Sequence, residues 1–340
     1  MAKLNVLIAG STGYIGIQLV KLLLKHKNIS IKYLCGNSSV GKKISYYDKS
    51  LSSNKLPKIV KFNKSYLKNV EIVFTALPNG EAQIISKNLS SKNVMIDIAA
   101  DFRLRSPKDY LKWYKQKHKA PQNIKNSIYS LPEFSYEYIK NYKIISCPGC
   151  YPTSVLLPLI PLIKNKLIAD NNIIIDSKSG YSGAGRGVHK KYKKKNLYES
   201  LSAYGVGFHR HNSEIQQELN NFSKKKIEFT FTPHLSPMFR GILSTIYLDL
   251  KKNVSIDYVN SKLKRFYKND TFVKILPANS LLSTNDVINT NYCHVSVCKS
   301  KYKNKIIILS AIDNLIKGGA GQAVQNLNYY FGYNIKKGLV

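Results

Sequence analysis

The sequence predicts an α/β protein made of an N-terminal Rossmann-like parallel sheet and a second α+β domain, and three observations carry that reading. Short branched apolar runs alternate with helical stretches as far as Pro148. A glycine-rich turn from Gly10 to Gly16 joins the first such run to the first helical stretch. Beyond Pro148 the strand-like runs lengthen and the helices become fewer.

Leu4–Ala9, Ile31–Leu34, Glu71–Leu77, Val94–Ala99 and Lys143–Ser146 read as strands, each short, rich in branched residues and closed by Gly, Pro or polar positions. Tyr14–Lys25 and Gly80–Ser90 carry helical spacing between them. Strands that are apolar throughout, alternating with helices, indicate a parallel sheet covered on both faces. Next come a helix over Pro152–Lys164, a strand over Asn172–Ser177 and a glycine-rich loop at Ser179–Gly187. Lys226–Thr232, Leu243–Leu250, Cys293–Lys299 and Lys305–Ala311 are longer strands, with one helix, Ile256–Tyr267, among them. That pattern suits an open antiparallel or mixed sheet. The last segment, Gly318–Tyr330, reads as a helix opened by glycines, and no internal repeat or low-complexity linker interrupts the chain.

A chain of 340 residues is long enough for two domains with separate cores. The formal charge of +34 points by itself to a polyanion partner. However, 47 of the 53 basic residues are lysine, and Asn, Ile and Tyr are abundant too. All four have A/T-rich codons, so the charge reads as compositional drift on a solvated surface. A specific nucleic-acid reader clusters its charge and uses arginine forks. Here the lysines are scattered apart from one run, Lys190, Lys191, Lys193, Lys194 and Lys195, and no specific nucleic-acid partner is expected. The longest apolar stretch, Ser154–Ile163, is broken by Pro158 and Pro161, which argues against a membrane span. Leu4–Ala9 is too short for a signal peptide. Five cysteines, an odd number without framework spacing, fit a reducing cytoplasm and no metal site.

Gly10-Ser11-Thr12-Gly13-Tyr14-Ile15-Gly16 sits where the first strand meets the first helix. Glycines there let backbone N–H groups approach a pyrophosphate at the positive end of a helix. A glycine turn alone is commonplace, and its position at the first strand–helix junction is what makes it a dinucleotide cradle. An NAD-selective fold places a carboxylate at the end of the second strand for the ribose hydroxyl. This chain has Cys35-Gly36-Asn37-Ser38-Ser39 and then Lys42 and Lys43, so Ser38 and Ser39 are expected to face a 2′-phosphate and the cofactor to be NADP.

Ser146 to Thr153 places Cys150 where a strand turns into a helix. A helix N-terminus favours thiolate, so Cys150 is the expected nucleophile. The Cys147-x-x-Cys150 spacing also reads as a redox pair. A zinc site would need a second pair, and Cys293 and Cys298 lie in an apparent strand with poor ligand spacing. His209-Arg210-His211, ahead of a helical run with Glu214, supplies imidazoles that titrate near neutrality, one of which is expected to manage the proton.

Together these residues resemble the N-acetyl-γ-glutamyl-phosphate reductase family, the arginine-biosynthesis branch of the semialdehyde dehydrogenases. The resemblance runs in order through GSTGYIG at 10–16, ALPNG at 76–80, DIAADFRL at 97–104, YSLPE at 129–133 and PGCYPT at 148–153. It continues through DSKSGYSGAGR at 176–186, HRHNSEI at 209–215, TPHLSPMFRG at 232–241 and IDNLIKGGAGQAVQN at 312–326. The resemblance implies an NADP-binding domain at 1–148, a catalytic and oligomerisation domain at 149–313, and a C-terminal segment 314–340 whose helix returns to the first domain. It implies that Cys150 expels phosphate from an acyl phosphate and carries a thioester that NADPH reduces to the aldehyde. His211, or else His209, is then the acid/base. Gly10, Gly13 and Gly16 hold the pyrophosphate, and Asn314, Gly318 and Gly319 lie on the nicotinamide side. Arginine is scarce, six in all, so Arg103, Arg186, Arg210 and Arg240, with Ser182, are the candidates for the anionic ends of the substrate. A homo-oligomer, dimer or tetramer, is implied as well.

Two departures stand out. Cys147 occupies a position where many relatives carry another residue, which opens a disulfide with Cys150. The arginine often found after the second strand is missing, which leaves the 2′-phosphate contacts undefined. The side-chain pocket is not legible, so another acyl phosphate, of aspartyl or aminoadipyl type, stays open as the substrate. A basic nucleic-acid-binding protein on an enzyme scaffold is the remote alternative.

Overall fold

The computed structural model describes residues 3–186 and 199–340. The lysine run at Lys190–Lys195, and Gly187 at the end of the glycine-rich loop, lie outside the described residues. The chain forms two compact units, Met1–Pro148 with Gly319–Val340, and Gly149–Gly318.

The first unit holds a seven-stranded parallel sheet in the order β3-β2-β1-β4-β5-β7-β6. Its strands are β1 (Leu4–Ala9), β2 (Ile29–Cys35), β3 (Ile59–Val60), β4 (Ile72–Thr75), β5 (Val94–Asp97), β6 (Ser127–Tyr129) and β7 (Ile144–Ser146). Val6, Leu7, Ile8, Ile72, Val73, Phe74, Met95 and Ile96 are all fully buried, as a sheet covered on both faces requires. Four helices follow the strands: α1 (Tyr14–Leu24), α2 (Glu81–Ser86), α3 (Pro107–Tyr114) and α4 (Pro132–Ser135). Ser106 caps α3 by accepting the Asp109 N–H at 3.3 Å, with Pro107 at the first helical position. The strand order reverses between β1 and β4, the crevice where open parallel sheets bind ligands.

The second unit carries β8 (Ile173–Gly180), β9 (Ser202–Ala203), β10 (Phe229–Ser236), β11 (Ile242–Asp249), β12 (Val273–Ile275), β13 (Cys293–Lys299) and β14 (Lys305–Ile312). They form a mixed sheet ordered β12-β13-β14-β11-β8-β10-β9, in which β8 with β10 and β12 with β13 run parallel. Helices α5 (Cys150–Lys164), α6 (His211–Ser223) and α7 (Ile256–Phe266) accompany it. The apolar run of α5 is a core helix buried on every side, joined to the sheet by Ser154 Oγ on Ser244 Oγ at 2.7 Å. Pro158 and Pro161 lie inside it rather than ending it. Pro161 deprives the Leu157 carbonyl of its helical donor, and the Tyr267 hydroxyl donates to that carbonyl at 2.6 Å. Burial alternates along β8 and β11, so Ile174 and Tyr247, paired across the two strands, face outward at 44% and 43% exposure.

The last helix, α8 (Gly321–Phe331), packs on α1 and β5 of the first unit. Three of its buried polar residues are hydrogen-bonded: Gln325 Nε2 donates to Glu133 at 2.9 Å, Asn326 Oδ1 accepts from Ser130 Oγ at 2.6 Å, and Asn328 Oδ1 lies 2.9 Å from His26 Nε2. The helix was expected from Gly318. Instead Ile316–Ala320 form a wider π turn and regular α-helix starts at Gly321. The expected break after Asp313 also moves, because Asp313 and Asn314 are bonded into the second unit and the division falls after Gly318.

Candidate active site

In the first unit, Gly10 turns the chain out of β1 with φ +84°, and a β-carbon there would stand 2.2 Å from the Ala76 carbonyl oxygen. Gly16, in the first turns of α1, has no more room: its β-carbon would meet the Gly10 oxygen at 2.2 Å. The loop is tied to the end of β2, since the Gly10 and Ser11 N–H groups both donate to the Cys35 carbonyl, at 3.0 and 3.1 Å. Gly13 caps α1, and Tyr14 and Ile15 open it, so the N–H groups of the first turn have no acceptor within the helix. A concavity lined by Gly10, Cys35, Gly36, Asn37, Phe62 and Leu77 adjoins the loop. Backbone that tolerates no side chain, a helix N-terminus and an apolar slot fit a dinucleotide.

Two polar candidates of this unit turn inward. Ser11 is fully buried, its hydroxyl donating to the Cys35 carbonyl at 3.2 Å. Ser39, expected at the 2′-phosphate, is 1% exposed and lies 3.4 Å from Thr12 Oγ1. Ser38 is exposed, as is Lys42, whose ammonium sits over the Tyr46 ring at 4.5 Å.

In the second unit, Cys150 is the first residue of α5, with Gly149 as the cap. Its thiol is half-buried and unbridged. His211, which opens α6, lies directly against the cap, for a β-carbon on Gly149 would be 2.4 Å from His211 Nε2. Glu214, one turn further along α6 and fully buried, accepts the Gly149 N–H through Oε2 at 2.9 Å and places Oε1 3.8 Å from His211 Nε2. Gly318 lies on the other side of Cys150, where a β-carbon would stand 2.7 Å from Cys150 Cβ.

His209 and His211 have different surroundings. His209 Nδ1 accepts the His211 N–H at 3.1 Å, and its ring is edge-on to Tyr151, Tyr204 and Phe231. Burial, with the Arg210 charge alongside, pushes its pKa down to about 4. Of the two, His211 is the one beside the cap of the helix that begins at Cys150.

Several candidates prove to hold the framework. Arg103 is buried, with Nε on the Cys147 carbonyl and one terminal nitrogen on the Ile98 carbonyl, both at 2.9 Å, so it braces the strand ends instead of presenting its fork to an anion. Arg240 pairs with the fully buried Asp313 at 3.1 Å and also bonds Asn289. Ser182 and Asn314, expected at different ligands, bond each other at 3.0 Å, while Asn314 Oδ1 accepts the Gly241 N–H at 2.8 Å. Arg186 and Arg210 remain on exposed positions. Cys147 is fully buried, takes a 3.5 Å contact from Asn326 Nδ2, and its thiol is pushed up to about 12 by burial. Glu214 is the residue whose role the sequence reading left blank, although its three-residue spacing from His211 on a helix was the available signal. Among the described residues no cluster of metal-binding side chains occurs, and no helix is long and apolar enough to cross a membrane.

Comparison with known proteins identifies the family. Residues 5–142 match the semialdehyde dehydrogenase NAD binding domain family and residues 150–314 the semialdehyde dehydrogenase dimerisation domain family. The N-acetyl-gamma-glutamyl-phosphate reductase of Clostridium beijerinckii is 42% identical over 341 residues, covering 100% of this chain and 98% of that protein. The enzyme of the same name from Ehrlichia canis is 41% identical over 99% of this chain and 97% of its own length. A probable chloroplastic one from Arabidopsis thaliana is 40% identical over 98% of this chain and 83% of its own. Among solved structures, aspartate semialdehyde dehydrogenase II of Vibrio cholerae shares the fold with a TM-score of 0.71 at 17% identity, covering 98% of this chain and 99% of that one. The Candida albicans aspartate semialdehyde dehydrogenase, solved with NADP, superposes with a TM-score of 0.69 at 17% identity, covering 98% of this chain and all of that one. Built from the two semialdehyde dehydrogenase domains, this chain belongs to the N-acetyl-gamma-glutamyl-phosphate reductase family.

Proposed function

We propose that the protein reduces N-acetyl-γ-glutamyl phosphate to N-acetylglutamate 5-semialdehyde with NADPH, releasing phosphate, a step of arginine biosynthesis. The observation that carries the reading is the packing of His211 Nε2 against the cap of the helix that begins at Cys150. His211 withdraws the thiol proton. The sulfur forms a bond to the acyl carbonyl carbon as the carbon–oxygen bond to phosphate breaks, and the departing phosphate takes the proton from His211. The α5 N-terminus stabilises negative charge first on sulfur and then on the carbonyl oxygen. When bound, the nicotinamide supplies a hydride to the thioester carbon. The oxyanion so formed collapses, the carbon–sulfur bond breaks, and Cys150 leaves as thiolate, to be reprotonated through His211. Gly10, Gly13 and Gly16, with the first-turn amides of Tyr14 and Ile15, hold the pyrophosphate. Ser38 and Lys42 face the 2′-phosphate, and Arg186 and Arg210 bind the anionic ends of the substrate.

The outward face of the second sheet, with Ile174 and Tyr247 paired upon it, is the surface we assign to a second copy in a homodimer, in keeping with the dimerisation domain that this unit matches. Five free cysteines suit the reducing cytoplasm. The lysine excess is solvated surface without a specific nucleic-acid partner. The test is the reverse reaction: phosphate-dependent reduction of NADP by N-acetylglutamate semialdehyde. Turnover with that aldehyde supports the proposal, and turnover with aspartate semialdehyde alone overturns it.

A further inference from the structure

We infer that Glu214 is a positioning residue that locks the nucleophile's peptide and the acid/base imidazole into one unit and holds that imidazole ready to carry a proton. The inference rests on Cys150 and His211 having the roles given above. One carboxylate reaches both parts. Oε2 accepts the Gly149 N–H at 2.9 Å, and Oε1 stands 3.8 Å from His211 Nε2. Glu214 is fully buried, and a carboxylate removed from water has to be matched by donors; the Gly149 amide is one, and His211 Nε2 stands close enough to share its charge when protonated.

The placement is unusual in its charge. A helix N-terminus favours an anion, and here the Glu214 carboxylate takes up the cap amide of α5 itself. A negative charge beside Cys150 disfavours thiolate alone and favours the thiolate–imidazolium pair, in which the added charge on His211 offsets it. The other groups around His211 do not supply this. His209, 4.7 Å away between ring centroids, stays neutral, and Arg210 carries positive charge. From α5, the Tyr151 ring lies 5.8 Å from that of His211, and the Cys150 thiol adjoins Gly149. Among these groups of the described residues, Glu214 supplies the carboxylate. Its carboxylate also fixes the spacing of α5 and α6 at the point where the chemistry needs it, because a shift of His211 relative to the cap would lengthen one contact or the other.

The experiment compares wild type, E214Q, E214D and H211Q in two pH profiles: kcat/KM of the reverse reaction, and the rate of Cys150 alkylation by iodoacetamide without substrate. E214Q keeps the shape and an acceptor for Gly149 but loses the charge. Its kcat/KM is expected to fall about 10- to 100-fold. The limb of both profiles that disappears in H211Q is expected to move to lower pH by about one to two pH units, since the anion that favoured imidazolium is gone. E214D keeps the charge with a shorter reach, so it is expected to retain the position of that limb while losing rate. Profiles of E214Q that superpose on wild type, with only thermal stability changed, would overturn the inference. So would an E214D limb displaced as far as that of E214Q. Alkylation needs no acyl phosphate, so an error in the substrate assignment leaves this result readable.

Discussion

His211 Nε2 lies against the Cα of Gly149, so close that a β-carbon at position 149 would stand 2.4 Å from it. Gly149→Ala therefore has to displace the imidazole or tilt the start of α5. Misplacement of a reacting group by about 1 Å is enough to cost on the order of 100-fold in rate. We expect kcat/KM to fall by about that factor while circular dichroism and cofactor binding stay as in wild type. A Gly149→Ala enzyme of normal activity would show that His211 is not the acid/base.

The two cysteines of Cys147-x-x-Cys150 should behave oppositely. Cys147 is fully buried with its thiol pushed up to about 12, whereas Cys150 is half-buried at a helix N-terminus. Cys147→Ser should keep near-normal turnover, and mild oxidation should inactivate it and wild type at the same rate, through sulfenic acid on Cys150. Protection by Cys147→Ser would restore the disulfide reading.

Cofactor choice should depend on the Lys42 ammonium. Ser39 is turned toward Thr12, while Ser38, Lys42 and Lys43 are exposed, and of these Lys42 is the side chain we expect at the 2′-phosphate. Lys42→Gln should lower kcat/KM with NADPH about tenfold or more, the loss of one charge-assisted contact, and leave NADH unaffected. Equal losses with both cofactors would assign Lys42 to the fold.

Stability should weaken with acid in a defined window. His209 has a pKa lowered to about 4 by burial and by Arg210, and burial also lowers His26, His118 and His294. A histidine with a depressed folded-state value binds its proton more readily in the unfolded chain. Its contribution is complete above about pH 6.5 and is lost as the pH falls through the folded value. The Tm should decline from about pH 6.5 to 4, and His209→Gln should flatten that decline at its acid end. A Tm constant over this range would contradict the lowered pKa values of these rings.

Breaking the Arg240–Asp313 pair strands a buried carboxylate. Arg240→Met should destabilise the protein by about 3–5 kcal/mol, measured by chemical denaturation, because removing one partner leaves the other charge uncompensated. A loss under about 1 kcal/mol would leave the arginine available to substrate, as the sequence alone suggested.

What the sequence revealed follows from how local each signal is. β1, β4, β5 and β7 were legible because strands buried on both faces must be apolar throughout, and Gly10 and Cys150 because a turn between strand and helix shows in a few residues. β3 and β6 were not, since the two edge strands are only two and three residues long and leave no period to read. Helix α3 carries its cap signal in Ser106-Pro107 but sits among polar residues that conceal its apolar stripe. The arginines could not be sorted at all: whether a guanidinium meets a substrate or Asp313, 73 residues away in the chain, is decided by tertiary packing. The same holds for Ser39 and Ser182, whose hydroxyls face inward to Thr12 and Asn314.

The thioester on Cys150 is the claim on which the rest depends, and Cys150→Ser tests it most directly. The hydroxyl keeps the shape but ionises several pKa units above a thiol, by about five to seven, so acyl transfer from N-acetyl-γ-glutamyl phosphate should nearly stop while NADPH binds with unchanged affinity. Mass spectrometry of the wild-type enzyme mixed with acyl phosphate in the absence of NADPH should at the same time show the acyl group on Cys150. Near-normal turnover by Cys150→Ser, with no acyl adduct on the wild-type cysteine, would contradict the account.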